Sequence, residues 1–145
     1  MGTKMRKENC IFCKIIAGEI PSNTIYEDDD FKVIMDIAPA TKGHALVLPK
    51  NHFDNIYDID SEILGKAVKV AQKVIKHATE ILGCDGYNLL QNNGEVAGQT
   101  VFHFHMHLIP RYENMDNENV LKFVPQDVAG EEVKKIADAI RLDVE

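Results

Sequence analysis

Three of the six histidines of the chain lie in one short stretch, residues 100–110, where they occupy every second position. Apolar residues fill the positions between them. Successive side chains of a β-strand point to opposite faces of the sheet, so this spacing predicts a strand with His103, His105 and His107 on one face. Three such imidazoles can ligate a metal ion, or one can act as a nucleophile with two helpers. A polar strand face that contains histidine by chance is the third interpretation.

A loop rich in glycine and side-chain amides precedes the histidines. Residues 92–100 read Asn-Asn-Gly-Glu-Val-Ala-Gly-Gln-Thr, and glycine lets backbone N–H groups approach an anion closely. The side chains of Asn92, Gln99 and Thr100 add donors. Such donors would hold the charge of the non-bridging oxygens while an imidazole attacks phosphorus. The loop therefore favours phosphoryl or nucleotidyl transfer, although a plain hairpin loop uses the same residue types.

Two of the three cysteines, Cys10 and Cys13, are separated by two residues. This is the spacing of half a tetrahedral zinc site, and in an intracellular chain it indicates metal or redox chemistry before a structural disulfide. Two further ligands are needed, and His52 and one of the clustered histidines are available to supply them. The alternative interpretation is a pair of reduced thiols without a metal.

The overall composition is that of a soluble globular protein. Hydrophobic residues make up 45% and charged residues 27% of 145 residues, which is enough for one domain with a core. No apolar run approaches the roughly 20 residues of a membrane helix, and the polar N-terminus leads into no secretory signal, so we expect a cytoplasmic protein. The net charge of −7 argues against a general nucleic-acid surface, because polyanion binding depends on Lys and Arg patches.

The patterns around these residues predict an α+β fold with a five-stranded, mostly antiparallel sheet. One long helix should begin after Ser61 as N-cap, end before Gly83 and pack on the sheet through an apolar stripe. The stripe consists of Leu64, Ala67, Val68, Ala71, Val74, Ile75, Ala78 and Leu82. We expect strands at residues 24–27, 31–35, 44–48, 86–90 and 100–110, and short terminal helices at residues 11–17 and 131–142. The face of the last strand opposite the histidines, with Phe104, Met106 and Leu108, should meet the long helix.

Four blocks of the sequence together resemble the histidine triad family. The chain carries His103-Phe104-His105-Met106-His107-Leu108-Ile109, which matches the family pattern of alternating histidines. This motif lies within the block from Asn93-Gly to Arg111. The other three blocks are Cys10-Ile-Phe-Cys-Lys-Ile-Ile-Ala-Gly-Glu-Ile-Pro21, Met35-Asp-Ile-Ala-Pro39 and Lys42-Gly-His-Ala-Leu-Val-Leu-Pro-Lys50. Within this family, the chain most resembles the branch of small nucleoside phosphoramidate and nucleotide hydrolases, in its zinc-containing bacterial form. It implies a homodimer and a single domain with a core at about residues 10–111 and a C-terminal extension at about 112–145.

The resemblance also implies roles for the histidines. His105 would attack the α-phosphate and carry a transient nucleotidyl group. His107 would contact the phosphate and assist the leaving group or the water. His44 would make a hydrogen bond that orients the imidazole of His105. For the metal, the resemblance suggests that His52 and His103 join Cys10 and Cys13, and a site closed by four protein ligands makes the zinc structural.

Nucleotide contacts follow from the same resemblance. Asn92, Gly98, Gln99 and Thr100 match the phosphate-contacting loop, and Asp36 matches the acid that binds the ribose hydroxyls. The residues that match the apolar clamp around the base are Phe12, Ile15, Ile34, Ile37 and Leu46. On periodicity alone, these five residues are simply core.

The leading interpretation is a homodimeric enzyme that hydrolyses purine nucleoside 5′-phosphoramidates or adenylated small molecules through a nucleotidyl-histidine. A second interpretation keeps this mechanism but takes dinucleoside polyphosphates as the substrate. A third is a nucleotide-binding or scaffolding protein without turnover. A fourth is a metal-dependent hydrolase that uses all three clustered histidines. No nucleic-acid polymer and no membrane is expected as a partner.

Overall fold

A computed structural model describes residues 5–114 and 123–143, and within them it confirms the predicted α+β architecture. A five-stranded sheet carries one long helix, with a shorter helix near each end of the chain. The strands are β1 (Thr24–Glu27), β2 (Phe31–Met35), β3 (Ala45–Pro49), β4 (Gly86–Leu90) and β5 (Met106–Arg111), and the helices are α1 (Ile11–Ile16), α2 (Ser61–Leu82) and α3 (Gly130–Ile140). The division into a core and a C-terminal extension stays a prediction, and residues 115–122 and 144–145 of that extension lie outside the described part.

The strands follow the order β1-β2-β3-β5-β4, and every neighbouring pair is antiparallel. β1 and β4 therefore form the edges of the sheet. In the β3–β5 pair Leu46 lies opposite His107, and Ala45 lies opposite Leu108. This register decides which histidines meet, because diagonal neighbours on one face of a sheet are within reach of long side chains.

Helix α2 ends as predicted but begins differently. Gly83 ends it in the left-handed conformation, with φ of 66°. The N-cap is Asp60 and not Ser61, because the Asp60 carboxylate accepts the N–H groups of Glu62 and Ile63, both at 3.1 Å. The predicted apolar stripe of α2 is wrong at one position. Val68 is 49% exposed, whereas Val70 is buried.

The two faces of the sheet support different layers. On one face, Ala67, Val70, Ala71 and Val74 of α2 pack into a cluster that contains Phe104, Met106 and Leu108, which confirms the predicted contact with the long helix. On the other face, Phe12 and Ile15 of α1 pack with Ile34 and Leu46. Residues of the same strands alternate between the clusters, so the functional side chains lie on the face that carries α1.

The prediction that all three clustered histidines lie within one strand is wrong. β5 begins at Met106, so only His107 belongs to it. The β3–β5 ladder stops at Val47 paired with Met106, and Pro49 farther along β3 has no N–H group to offer. Its carbonyl accepts from the His103 ring at 2.8 Å, while the N–H group of Phe104 donates to Phe53 O at 2.6 Å. Within the described ranges, none of the helices has the length and apolar character needed to cross a membrane.

Candidate active site and metal centre

An open cavity of about 280 Å³ lies between α1, the ends of β2 and the segment that leads into β5. Nine of the predicted site residues line it: Phe12, Ile15, Ile34, Asp36, Ile37, Leu46, Thr100, His105 and His107. Six further residues, for which no sequence pattern signalled a site, line the same cavity: Ile11, Ile20, Pro21, Ser22, Met35 and Val101. Ile37 is 92% exposed at the rim, whereas the other four predicted clamp residues are buried. The cavity thus has apolar walls and an imidazole-containing end.

The imidazole of His105 is oriented by the backbone of His103. Nδ1 of His105 lies 2.7 Å from the carbonyl oxygen of His103, and a carbonyl only accepts, so Nδ1 carries the proton. In the neutral ring Nε2 therefore keeps its lone pair. The Phe12 ring packs edge-on against the imidazole, with ring centroids 5.1 Å apart. Burial lowers the pKa of His105, which favours the neutral and nucleophilic form.

His44 contacts His107 and not His105, which corrects the predicted contact. Nε2 of His44 lies 2.9 Å from Nδ1 of His107. The physical reason is the register of β3 on β5, which makes His44 the diagonal neighbour of His107. The N–H group of Ala40 donates to Nδ1 of His44 at 3.0 Å, so the neutral His44 ring carries its proton on Nε2 and donates it to His107. His107 then presents an N–H group at Nε2.

Burial keeps these two histidines neutral. The pKa of His107 is lowered to about 4, mainly by desolvation and also by the neighbouring His105 and His44, against the opposite effect of Asp36. Burial also lowers the pKa of His44, and Asp36 again opposes it. One Asp36 carboxylate oxygen lies 3.5 Å from Nε2 of His44, and the other accepts the N–H group of Ala38 at 2.9 Å.

Asp36, His44 and His107 also place three potential ligand atoms within 4.8 Å of one another. The hydrogen bonds argue against a metal ion among them. The amide of Ala40 occupies Nδ1 of His44, so Nε2 has a proton where a metal would need a lone pair. The cluster is better described as a chain of hydrogen bonds that ends at His107.

The glycine-containing loop offers backbone donors at the cavity. Thr100 and Val101 both line it, and their N–H groups donate no hydrogen bond to any described residue. Gly98 adopts φ of 97°, a conformation that favours glycine. Asn92 donates to the Gly98 carbonyl oxygen at 3.4 Å, and neither residue belongs to the described wall of the cavity. Thr100 is thus the predicted loop residue that the fold brings to the cavity.

Gln99 differs from its predicted role as a phosphate donor. Its side chain is buried, and its Nε2 donates to the carbonyl oxygens of Asp54 at 2.6 Å and Val101 at 3.1 Å. Its Oε1 accepts the Gly94 N–H group at 2.8 Å and Nδ2 of Asn55 at 3.3 Å. A primary amide has two N–H donors and two acceptor lone pairs, so this one has no donor left for a phosphate.

The four predicted metal ligands, Cys10, Cys13, His52 and His103, are all buried and place their ligand atoms within 4.8 Å of one another. Nδ1 of His103 lies 3.4 Å from Cys10 Sγ and 3.5 Å from Cys13 Sγ, and Nδ1 of His52 lies 3.3 Å from Cys13 Sγ. Zinc–sulfur and zinc–nitrogen bonds of about 2.3 and 2.0 Å at tetrahedral angles give an S···N distance of about 3.5 Å. The donor set therefore fits a tetrahedral zinc ion.

The surroundings of the cluster also suit a metal ion. His103 donates its Nε2–H to Pro49 O at 2.8 Å, and His52 donates its Nε2–H to the Asp54 carboxylate at 2.9 Å. Both Nδ1 atoms then offer lone pairs, as metal-bound histidines require. Desolvation lowers the pKa of His103 to about 4, which keeps the ring neutral, whereas it raises the pKa of the Cys13 thiol. A bound cation would favour the Cys13 thiolate against that burial.

Comparisons with known proteins agree with this arrangement. A family model described as HIT domain matches residues 17–114. Protein hit of Bacillus subtilis is 44% identical over 134 residues, which are 92% of this chain and 92% of that protein. Adenosine 5′-monophosphoramidase HNT1 of Saccharomyces cerevisiae is 45% identical over 102 residues, 70% of this chain and 62% of that protein. The crystal structure of a Zn-bound histidine triad family protein from Mycobacterium smegmatis has a TM-score of 0.73 and 39% identity, covering 81% of this chain and 84% of that one.

Proposed function

The chain belongs to the HIT domain family, and we propose that it hydrolyses purine nucleoside 5′-phosphoramidates or adenylated small molecules through a nucleotidyl-histidine intermediate. The main support for this proposal is the orientation of the His105 ring. Its Nδ1–H group donates a hydrogen bond to the His103 carbonyl, and the ring lines an apolar cavity. The similarity to a yeast adenosine 5′-monophosphoramidase supports the substrate class.

The proposed reaction has two displacements. Nε2 of His105 attacks the α-phosphorus, the phosphorus–nitrogen bond breaks, and the amine leaves after taking a proton from solvent. Water then attacks the same phosphorus and loses a proton to solvent, the phosphorus–His105 bond breaks, and the nucleoside monophosphate leaves while Nε2 of His105 regains its lone pair. The Nε2–H of His107 would donate to the phosphate or the leaving group, and the N–H groups of Thr100 and Val101 would hold the non-bridging oxygens.

The cavity provides room for the nucleoside on its apolar side. Phe12, Ile15, Ile34 and Leu46 would contact the base, with Ile37 at the rim. Asp36 would accept hydrogen bonds from the ribose hydroxyls, for which a carboxylate has the right two acceptors. Asn92 and Gly98 would then support the phosphate loop instead of lining the cavity.

We also propose that Cys10, Cys13, His52 and His103 hold a structural zinc ion. The zinc-bound relative supports this proposal, together with the donor set and the S···N distances. When bound, the ion would supply charge neutralisation for the thiolates and a cross-link between α1 and the segment before β5. It would leave no open coordination position for a substrate.

The test is a substrate panel with purified protein. Adenosine 5′-phosphoramidate, an adenylated amine and diadenosine tetraphosphate should be compared by kcat/KM. We expect the first two to exceed the dinucleotide by at least about tenfold, that is by 1.4 kcal/mol or more. A preference for the dinucleotide would support the second enzyme interpretation. The absence of turnover, together with complementation of a deletion strain by the His105→Ala protein, would support a binding or scaffolding role.

The homodimer and the cytoplasmic location are further proposals. The family resemblance implies the dimer, and β4 is an edge strand with Leu89 48% exposed, which leaves backbone groups for pairing. Light scattering at several protein concentrations tests the dimer directly. Three free cysteines suit a reducing compartment such as the cytoplasm.

A further inference from the structure

We propose that Gln99 is a positioning residue that holds the anion-binding part of the loop in place through its side-chain amide. The inference deepens the proposed function and rests on it for the identity of the anion. The side chain is 2% exposed, although it lies next to the exposed Thr100. A polar side chain is stable in this buried position only if its hydrogen-bonding groups are paired, so the partners of Gln99 indicate its role.

The four hydrogen bonds of Gln99 join three separate pieces of chain. Oε1 accepts the N–H group of Gly94, and the backbone N–H of Gln99 in turn donates to Gly94 O at 3.0 Å. This reciprocal pair closes the turn between residues 94 and 99. Nε2 donates to Asp54 O, and Asn55 donates to Oε1, which ties the closed turn to the segment after β3.

The last of these hydrogen bonds acts on the peptide at the cavity itself. Nε2 of Gln99 donates to the carbonyl oxygen of Val101 at 3.1 Å. The Val101 carbonyl shares its planar peptide unit with the N–H group of Phe102, so it does not set the direction of the Val101 N–H group by itself. The hydrogen bond instead closes a ring from the Gln99 side chain to the Val101 carbonyl. That ring contains the two peptide units whose N–H groups belong to Thr100 and Val101, the proposed phosphate donors.

The segment that Gln99 contacts is also held independently. Asp54 accepts the Nε2–H of His52 at 2.9 Å through its side chain, while its carbonyl oxygen accepts from Gln99. The N–H groups of Asp54 and Asn55 donate to the Asp58 carboxylate at 3.0 and 2.9 Å, and Ile56 donates to Asn93 Oδ1 at 2.7 Å. Gln99 is thus anchored to an ordered segment, which is what a positioning contact requires.

Two substitutions separate positioning from direct contact with the ligand. Gln99→Met keeps the length and removes all four hydrogen bonds. Gln99→Glu keeps the shape but replaces the two donors by an oxygen facing two carbonyl oxygens. The matched control is Gln72→Met on the exposed face of α2. The readouts are the affinity for AMP, kcat and KM for adenosine 5′-phosphoramidate, amide hydrogen exchange of residues 94–101, and zinc content.

We expect Gln99→Met to weaken AMP binding by about tenfold or more, because the loop would then have to be ordered when AMP binds, at a cost similar to that of a lost buried hydrogen bond. Exchange of the Gly94 amide should accelerate, and the control should match the wild type. For Gln99→Glu, AMP affinity relative to the wild type should recover in part as the pH falls from 7 to 5, because protonation of the new carboxyl restores one donor.

Three outcomes would overturn the inference. AMP affinity within twofold of the wild type in Gln99→Met is the first. The second is weaker AMP binding with unchanged exchange of residues 94–101, since this would make Gln99 a direct ligand. If Gln99→Met does not fold, the absence of any recovery in Gln99→Glu at low pH is the third. A wild type that binds AMP through this loop but lacks phosphoramidase activity would refute the proposed function while leaving the role of Gln99 standing.

Discussion

The Nδ1–H group of His105 donates a hydrogen bond of 2.7 Å to the backbone carbonyl of His103. The ring of the same His103 lies among the metal-binding side chains, 3.4 Å from Cys10 Sγ. One residue thus contributes its ring to the metal centre and its backbone to the proposed nucleophile. The tautomer of His105 is therefore set by a main-chain group whose position depends on how the His103 side chain is held.

Replacement of His105 is the most direct test of the proposed mechanism. Both His105→Ala and His105→Asn should lower kcat by at least about 10³-fold, because the attacking nitrogen is lost and no covalent intermediate can form. AMP affinity should change far less, since the loop and the apolar walls remain. Rapid quenching with labelled substrate should detect a nucleotidyl-protein in the wild type and none in either variant.

The exposed His77 on α2 provides the matched control, because His77→Asn removes an imidazole that does not line the cavity. It should keep the wild-type kcat. Turnover retained in His105→Ala, with an intact fold by circular dichroism, would refute nucleophilic catalysis by this residue.

The hydrogen bond between His44 and His107 predicts a role for His44 in fixing the His107 tautomer. In His44→Phe, the Nδ1 atom of His107 loses its donor, so the Nε2–H tautomer is no longer enforced. We expect kcat/KM to fall about tenfold to a hundredfold, in line with the loss of one buried hydrogen bond. His44→Gln, which can donate through its amide, should recover part of the loss. Nitrogen chemical shifts of the His107 ring check the tautomer, and an unchanged tautomer in His44→Phe would contradict the assignment.

Parts of this arrangement could be predicted from residue types and periodicity. The alternation of Phe104, Met106 and Leu108 correctly indicated the face that meets α2, because burial of apolar side chains follows the strand period. The spacing of Cys10 and Cys13, together with the family resemblance, identified four side chains that the fold brings together. Predictions of this kind succeed where the residue type itself determines the role, as an apolar side chain determines burial and a Cys or His side chain determines metal binding.

Other contacts depend on features that a sequence does not display. The carbonyl of His103 has no residue-type signature, so its hydrogen bond to His105 was not predictable. The pairing of His44 with His107 depends on the register of β3 on β5. For Gln99, the sequence states that an amide is present but not that both of its N–H groups point to carbonyl oxygens.

The low pKa of His107 predicts how stability depends on pH. Its folded-state pKa is about 4, below the ordinary value of 6.5, so the unfolded chain binds more protons between these two values. The stabilisation is complete above pH 6.5 and is lost as the pH falls towards 4. Denaturant unfolding at pH 5 and 7.5 should show a smaller pH difference in His107→Gln than in the wild type. Equal differences in both proteins would contradict a neutral, buried His107.

Zinc removal tests the metal centre and its link to His105 together. Elemental analysis should find one zinc ion per chain in the wild type and none in the double variant Cys10→Ser/Cys13→Ser. Free zinc at about 1,000 times its Kd stabilises the folded state by about 4 kcal/mol, so the melting temperature should fall by roughly 10 °C on removal.

Turnover should decrease without disappearing, since zinc holds His103 and not the substrate, while His105 remains as the nucleophile. Cys84→Ser, which removes a buried thiol outside the four-residue cluster, serves as the control and should keep both zinc and activity. Complete loss of turnover after chelation, with the fold intact and restored activity on adding zinc, would favour a metal-dependent hydrolase instead. A protein that contains no zinc and melts at the same temperature after chelation would leave Cys10 and Cys13 as ordinary reduced thiols.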